Sequence, residues 1–407
     1  MTRNTPSADA VVLGGGLIGM TTALALARLG LQVQLVDRQP LAQTTLPAFD
    51  GRATAVALAS KNLFQAIGLW TALEPDAGPI REIRVSDGPS LLHLHFDHRQ
   101  LGAEPLGWMV ENRHLRAAML GAVVSAPEIE ISAPVTVTSF GETPGSTAID
   151  LSDGRTLQAP LLVACDGRQS QVRRHLGLRS LRWSYPQTAI VATIAHQLAH
   201  GGVAHERFLR DGPFAILPLT GNRASLVWTA DARHAPLILD LNQRAFAAEV
   251  IRRIGDFLGD VEVLPQRWSY PLGLHIAERF HGPRTVLVGD AGHGIHPIAG
   301  QGFNLGLRDV AALTELVAQA ARVGLDLGAP DLVARYSRAR RADVFALAAA
   351  TDSLNWLFSN DIAPVRLARD LGLAAVNRIS PMKGFFMSAA RGTFGRRPAL
   401  LDGRLPL

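Results

Sequence analysis

The sequence predicts an α/β fold: a nucleotide-binding parallel sheet, interrupted by a second and mostly antiparallel β-sheet, with C-terminal helices. Three observations predict it. A glycine-rich loop, Gly14-x-Gly16-x-x-Gly19, follows a short apolar strand near the start of the chain. A second glycine-rich stretch, Gly289 to Asp309, reads GDAGHGIHPIAGQGFNLGLRD and follows another apolar strand. Between them, alternating or β-rich segments gather at 81–100 and 180–275. One binding fold is therefore assembled from distant segments, with a second sheet inserted between them.

Taken in order, Ala10–Leu13 reads as a strand, residues 14–19 as the turn, Met20–Leu29 as an Ala- and Leu-rich helix, and Gln32–Asp37 as a second strand. Gly14 permits the tight turn, Gly16 a close phosphate approach and Gly19 close helix packing, and Asp37 is the ribose-binding carboxylate about 20 residues on. This is the dinucleotide fingerprint of a Rossmann-like domain, and Arg38 is grouped with it. Its position within ten residues of the start argues against a preceding signal peptide. Arg113–Val124 is predicted helical, with strands at Pro134–Phe140 and Ala148–Leu151 and a turn at Asp153-Gly154. The strand Leu161–Cys165 leads into Asp166-Gly167-Arg168, where Ser170 caps a helix that carries Arg173.

Arg84–Asp87, Leu92–Phe96, Thr188–Ile194 and Ala224–Ala230 supply the inserted sheet. Asp290 then ends the strand Thr285–Gly289, where a carboxylate can accept a hydrogen bond from a ribityl hydroxyl. Gly300, Gly302 and Gly306 let backbone approach a flat ring or a pyrophosphate. A helix from Phe303 onward points its N-terminus at whatever lies over the loop. Together the motifs indicate FAD. The layout is an FAD-binding domain from 1–80, 101–179 and 276–330, and a substrate-binding sheet domain from 81–100 and 180–275. A helical region spans 331–407, broken at Pro364, Pro381 and Pro398.

Composition narrows the function. Hydrophobic residues make up 47% of 407, yet no apolar run reaches the ~18–20 residues needed to span a bilayer. The single cysteine, Cys165, excludes an internal disulfide framework and reads as a buried core residue. Net charge is +5, and Lys61 and Lys383 are the only lysines. Sparse aromatics and no RNP-like or zinc-finger pattern leave nucleic-acid binding unsupported. His93, His95 and His98 invite a metal reading, because alternate strand positions share a face, but a solvated strand edge explains them better. Phe214 and Trp228 fit either core or substrate wall. In the C-terminal third, Arg366, Arg369, Arg378, Lys383, Arg391, Arg396 and Arg397 interleave with apolar residues. That pattern suits a helical surface lying on an anionic membrane face.

The three motifs in this order resemble the class A flavoprotein aromatic hydroxylases of the para-hydroxybenzoate hydroxylase type. More narrowly, the 289–309 stretch is similar to the ubiquinone-biosynthesis hydroxylases. Asp50-Gly-Arg52, Val110-Glu-Asn112, Phe214–Leu219 with Ser225–Trp228, Tyr270-Pro-Leu and Leu354–Asp361 support this. The resemblance implies FAD, O2 as co-substrate, and NAD(P)H or a ferredoxin-type protein as electron donor. The reaction it implies is hydroxylation of a prenylated phenol through a flavin C4a-hydroperoxide. It places Pro297 and the backbone of Gly300, Gly302, Phe303 and Asn304 beside the flavin ring. His293 and His296 in the same loop orient water or bond backbone, Arg52 grips the flavin or its phosphates, and Asn112 lies near the ribityl chain, with Arg113 as a substitute. Asp166 and Arg173 would assist a visiting nicotinamide.

The implied setting is cytoplasmic, with peripheral contact at the inner membrane through Pro364–Phe394 and with other ubiquinone-biosynthesis proteins as partners. Three alternatives stay open: a soluble-phenol hydroxylase, a flavin-dependent isoprenoid reductase, and a non-catalytic flavin-stabilised subunit.

Overall fold

The computed structural model describes residues 8–406 except 47, 49, 88–92, 144, 210–211, 297–299, 359–379, 394 and 396. Four apolar strands begin the architecture, because buried parallel strands need side chains that suit both faces. Ala10–Leu13, Val33–Val36, Leu161–Ala164 and Thr285–Leu287 are buried throughout. They lie in one six-stranded sheet, in the order His281–Gly282, Thr285–Leu287, Leu161–Ala164, Ala10–Leu13, Val33–Val36, Ile129–Ser132. All pairs are parallel except the first.

An eight-stranded sheet stands apart. Its order is His293–Gly294, Val261–Ala277, Ser180–His196, Arg223–Asp231, Gly212–Pro218, Val203–Leu209, Glu82–Asp87, His93–Asp97. Only the pair Val203–Leu209 with Glu82–Asp87 is parallel. One face is covered by helices Ala235–Leu239 and Gln243–Ile254, whose Phe246, Val250 and Ile254 pack on Ile190, Phe214, Leu226 and Trp228. Phe214 and Trp228 are therefore core: the Trp228 ring stacks on Phe246 at 6.2 Å, and the Arg253 guanidinium lies 3.9 Å over it. The other face looks toward the nucleotide-binding side, since a Cβ on Gly51 would stand 2.0 Å from the Trp268 ring. A small antiparallel sheet of Ala53–Ala57, Gly107–Glu111 and Gly78–Ile80 lies there.

Helix starts differ from the sequence expectation for a local reason. The first helix runs Leu17–Ala27 rather than from Met20, because extended Gly16 serves as its N-cap inside the glycine motif. The helix after the second glycine stretch is Gln301–Arg322, capped by left-handed Gly300 and begun two residues before Phe303. Pro381 lies in the first turn of Ser380–Ala390, where a missing N–H costs nothing. Pro364 lies outside the described residues. Cys165 packs against the core, and burial pushes its thiol up to about 12.

Candidate active site

The three motifs meet at the carboxyl ends of adjacent parallel strands, the position where open α/β sheets bind ligands. The N–H of Cys165 donates to Leu13 at 2.8 Å, and that of Val288 to Ala164 at 3.0 Å. Gly14, at φ +110°, has no room for a Cβ, which would lie 2.4 Å from the Cys165 oxygen. A Cβ on Gly19 would lie 1.7 Å from the Gly14 oxygen, whereas one on Gly16 would meet nothing within 4 Å among the described residues. Two glycines thus close the turn and the third leaves open space over the helix N-terminus. The Asp37 carboxylate ends the second strand and accepts from Gly15 N–H at 2.6 Å and Gln39 N–H at 2.7 Å. Arg38 beside it is exposed.

Asp166 Oδ2 accepts from the N–H groups of Gln171 at 2.6 Å and Val172 at 3.2 Å. Its Oδ1 is buried and accepts nothing from the described protein groups. Ser170 caps the short helix through the Arg173 N–H at 2.9 Å. Arg173 departs from the expectation of a nicotinamide contact: it is 1% exposed and donates to the backbone oxygens of Ala291 and Arg168 at 2.5 and 2.7 Å. It ties two motif loops together. Asp290 is exposed at its strand end, and His275 Nε2 bonds its backbone oxygen at 2.8 Å. The 289–309 loop reaches the first motif, because a Cβ on Gly306 would lie 2.7 Å from Ile18 Cδ1.

Around the second glycine stretch the roles separate. A Cβ on Gly302 would meet nothing within 4 Å among the described residues, so backbone there is open to a ligand. Phe303 leans inward, its ring 6.3 Å from Phe64. The Asn304 side chain is a latch: Oδ1 accepts from Ala57 N–H and Ser60 Oγ at 2.9 and 2.8 Å, and Nδ2 donates to Ala55 and Gly300 at 2.8 and 3.2 Å. Only its backbone remains for a cofactor. Pro297 lies outside the described residues.

The two loop histidines diverge as well. His293 is 2% exposed, and its Nε2 meets the Asp309 carboxylate at 2.6 Å. Asp309 also accepts from Gly289 N–H at 2.9 Å and Arg340 Nε at 2.6 Å. Burial would raise its carboxyl, but His293 and Arg340 outweigh that and hold it low. His293 is therefore committed to the loop's framework, not to reacting atoms. His296 is fully buried, edge-on to Tyr185 at 4.9 Å and 3.3 Å from Gln187 Oε1. Burial lowers its ring to about 4, so it is neutral at neutral pH.

Asp50 organises a cluster that sequence reasoning quoted but did not single out. Its carboxylate accepts from Arg52 Nε and Nη2 at 2.9 and 2.8 Å, Asn112 Nδ2 at 2.9 Å, Arg116 Nη2 at 2.8 Å and Tyr270 OH at 3.2 Å. Against the cost of burial, these donors hold its carboxyl far below the usual range. The Arg52 side chain is 48% exposed and lies 4.7 Å over the Tyr270 ring, free to reach a ligand while anchored behind. Asn112, by contrast, is buried, with Oδ1 accepting from Thr54 at 2.6 Å, so it positions Asp50 rather than reaching outward. Arg113 does not replace it; it pairs with Glu111 at 3.2 Å. The signal that was available is a donor-rich set, Arg52, Asn112, Arg116 and Tyr270, with one carboxylate among them.

These residues fit FAD. The turn is crowded where glycine is required and open where phosphate approaches, a buried Asp166 oxygen lacks a partner, and helix N–H groups face open space at Gly302.

A family model, the FAD binding domain, matches residues 7–351. Over 402 residues the chain is 47% identical to Ubiquinone hydroxylase UbiL of Rhodospirillum rubrum, across 98% of this chain and 94% of that one. It is 32% identical to the 3-demethoxyubiquinol 3-hydroxylase of Escherichia coli, across 96% and 99%. Among solved structures, the p-nitrophenol 4-monooxygenase PnpA of Pseudomonas putida superposes with a TM-score of 0.80 at 18% identity, across 97% and 100%, a likeness of fold. With the family model spanning most of the chain and relatives matching over nearly their full length, the chain belongs to the ubiquinone-biosynthesis hydroxylase family of FAD-dependent class A flavoprotein monooxygenases.

Proposed function

We propose that the protein binds FAD noncovalently and inserts one oxygen atom of O2 into the aromatic ring of a prenylated phenol in ubiquinone biosynthesis. The observation that carries this reading is the meeting of three nucleotide motifs beneath a sheet face bearing Trp268 and Tyr270. Bound FAD supplies the redox and oxygen-activating chemistry. The protein's share is binding, orientation and exclusion of water. Asp37 takes the adenosine ribose, the N–H groups after Gly16 the pyrophosphate, and Asp290 and Asp166 the ribityl hydroxyls. Arg52, held by Asp50, would reach the flavin. Backbone N–H groups from Gly300 to Asn304 would face the ring and favour negative charge there; Pro297, assigned to the same place from the sequence, lies outside the described residues.

Only one complete dinucleotide fingerprint is present in the chain. Electrons therefore come from a transiently visiting NAD(P)H or from a ferredoxin-type protein. Asp166 remains a candidate to meet the nicotinamide; buried Arg173 does not. No helix among the described residues is long and apolar enough to cross a membrane. The reading places the protein in the cytoplasm, peripherally at the inner membrane, beside other ubiquinone-biosynthesis proteins that exchange its polyprenyl-phenol substrate.

The test is turnover of a short-tail prenylated phenol under labelled oxygen, with NADH, NADPH or a ferredoxin system as donor. One labelled atom in the ring is expected. Reduction of an isoprenoid double bond without oxygen uptake would overturn it in favour of the reductase.

A further inference from the structure

Strand Val203–Leu209 presents two unlike faces. His205 and Arg207 point toward the helical cover: the His205 ring lies 4.6 Å from Phe257, and Arg207 Nη1 donates to the backbone oxygens of Arg253 and Ile254. Ala204, Glu206 and Phe208 alternate onto the opposite face. Ala204 and Phe208 are 5% exposed there, in an apolar cluster with Phe96 and Met109, against which Ala53 and Ala55 pack. Glu206 lies between them. Its register neighbours are Val85 on one side and Ala215 on the other. The same row continues through Val227 and Val191 to Trp268, the residue that abuts Gly51.

The face therefore looks across at the strand Ala53–Ala57. That strand is fastened to the glycine loop of the site, since the Ala55 oxygen accepts from Asn304 and a Cβ on Gly300 would meet Ala55 at 3.1 Å.

Glu206 has no hydrogen bond or ion pair among the described residues. Enclosure by protein alone raises its carboxyl to about 7. Yet the residue retains intermediate surface exposure, and its oxygens are not among the sealed polar atoms. A side chain with accessible surface of its own, set between buried Ala204 and Phe208 on the face turned toward Ala53–Ala57, stands on the wall between the two sheets' strands there. A carboxyl placed on an apolar face without a partner costs stability, so buried polar groups of this kind mark sites where a ligand completes the bonding.

We propose that Glu206 is the polar anchor of the substrate ring: its carboxyl group hydrogen-bonds a ring oxygen of the phenol and fixes which ring carbon faces the flavin. This rests on the aromatic-hydroxylase reading above and adds a positioning residue to it. Its immediate neighbours in the wall, Ala204, Phe208, Val85 and Ala215, are apolar, so Glu206 supplies an orientation that packing of a flat ring does not. In its protonated form the carboxyl both donates and accepts, as does a glutamine.

The test compares wild type, Glu206→Gln and Glu206→Leu as FAD-loaded full-length protein. Phenol affinity is read without turnover, from perturbation of the flavin absorbance by a short-tail prenylated phenol. KM, kcat, regiochemistry and the fraction of consumed O2 recovered as hydroxylated product rather than hydrogen peroxide are then measured. Glu206→Leu is expected to keep its FAD and an equal or higher Tm, because an unpartnered carboxyl has been replaced by an apolar side chain. It should bind phenol about 10-fold more weakly, the scale of one lost hydrogen bond, with lower coupling or mixed ring products. Glu206→Gln should stay within about threefold of wild type.

Unchanged phenol affinity, coupling and regiochemistry in Glu206→Leu would overturn the proposal. So would equal damage in both variants with a lowered Tm. A wild type that binds phenol without hydroxylating it refutes the hydroxylase reading alone, since the affinity ratio still judges Glu206. A wild type that binds no phenol refutes both.

Discussion

Asp290 shows how a single carboxylate is left available. The strand Thr285–Leu287 ends just before it, and His275 fastens its backbone, not its side chain, which is exposed. A hydrogen bond to a charged group contributes about 1.5–3 kcal/mol. Asp290→Ala is therefore expected to weaken FAD binding by roughly 10- to 100-fold, measured by fluorescence titration of the apoprotein; full affinity in the variant would remove Asp290 from the binding set. Glu206 gives a second expectation, from its raised carboxyl. Its folded value of about 7 lies above the ordinary glutamate value of about 4.3. Between those values the native state keeps a proton that the unfolded chain has lost, so stability from this residue is fullest at low pH and is withdrawn as pH rises. The Tm of wild type relative to Glu206→Leu should therefore fall from about pH 5 to about pH 8, and a flat difference would mean that the carboxyl is solvated. Asp37, Asp166 and Asp290 were readable because each closes an apolar strand. Asp50 was not readable as a hub, because Arg116 and Tyr270 lie 66 and 220 residues away.

At the level of elements, the helix Gln301–Arg322 holds the second glycine loop from behind. Asn304 fastens its first turn to the strand Ala53–Ala57, and Asp309, one turn and a half further, fastens the loop start at Gly289 and the side chain of His293. The glycine spacing made this helix and its direction legible. The second function of Asn304 and His293 was not, since a side chain beside a cofactor loop reads as a ligand until its protein partners are known. Arg340 completes the arrangement from the helix Pro330–Phe358, with Nε on Asp309 and Nη1 on Asp343 at 2.7 Å. Replacing Asp309 by Asn removes the charge while Arg340 and His293 stay buried. Breaking a buried pair in this way costs about 3–5 kcal/mol. The expected outcome is a lower apparent Tm and release of FAD at a lower temperature, followed by flavin fluorescence on heating. An unchanged melting profile would mean that Arg340 finds another acceptor.

Across the whole molecule, the nucleotide motifs gather at the strand ends of the six-stranded sheet, and the eight-stranded sheet turns one face toward Gly51 and the strand Ala53–Ala57. The alternation of β-rich and helical segments made this pairing legible. Which side chains of the second sheet point inward depended on register, which strand patterns alone do not give, and the 17-residue strands Ser180–His196 and Val261–Ala277 carry register shifts at Ser184/Thr188 and Ala192/Ile194. The C-terminal residues modify the membrane reading in detail. Arg391 is 6% exposed, with its guanidinium on the backbone oxygens of Leu101 and Glu104 at 3.3 and 3.2 Å, and Arg397 pairs with Asp402 at 2.6 Å. Neither presents a free charge to a surface, so changing them would test folding. Met387 packs inward and Phe386 is exposed on the same helix, while Arg366, Arg369, Arg378, Arg396 and most of Pro364–Phe394 up to residue 379 lie outside the described residues. A polyprenyl tail favours access from lipid, because each CH₂ brought into water costs about 0.8 kcal/mol. Flotation with anionic vesicles is expected to carry the wild type upward. Phe386→Ser should reduce the floating fraction, and added salt should reduce it further if arginines contribute, since exposed charges are screened beyond about 8 Å at physiological ionic strength. If neither wild type nor variant floats at low salt, peripheral contact is refuted and a soluble phenol becomes the better substrate.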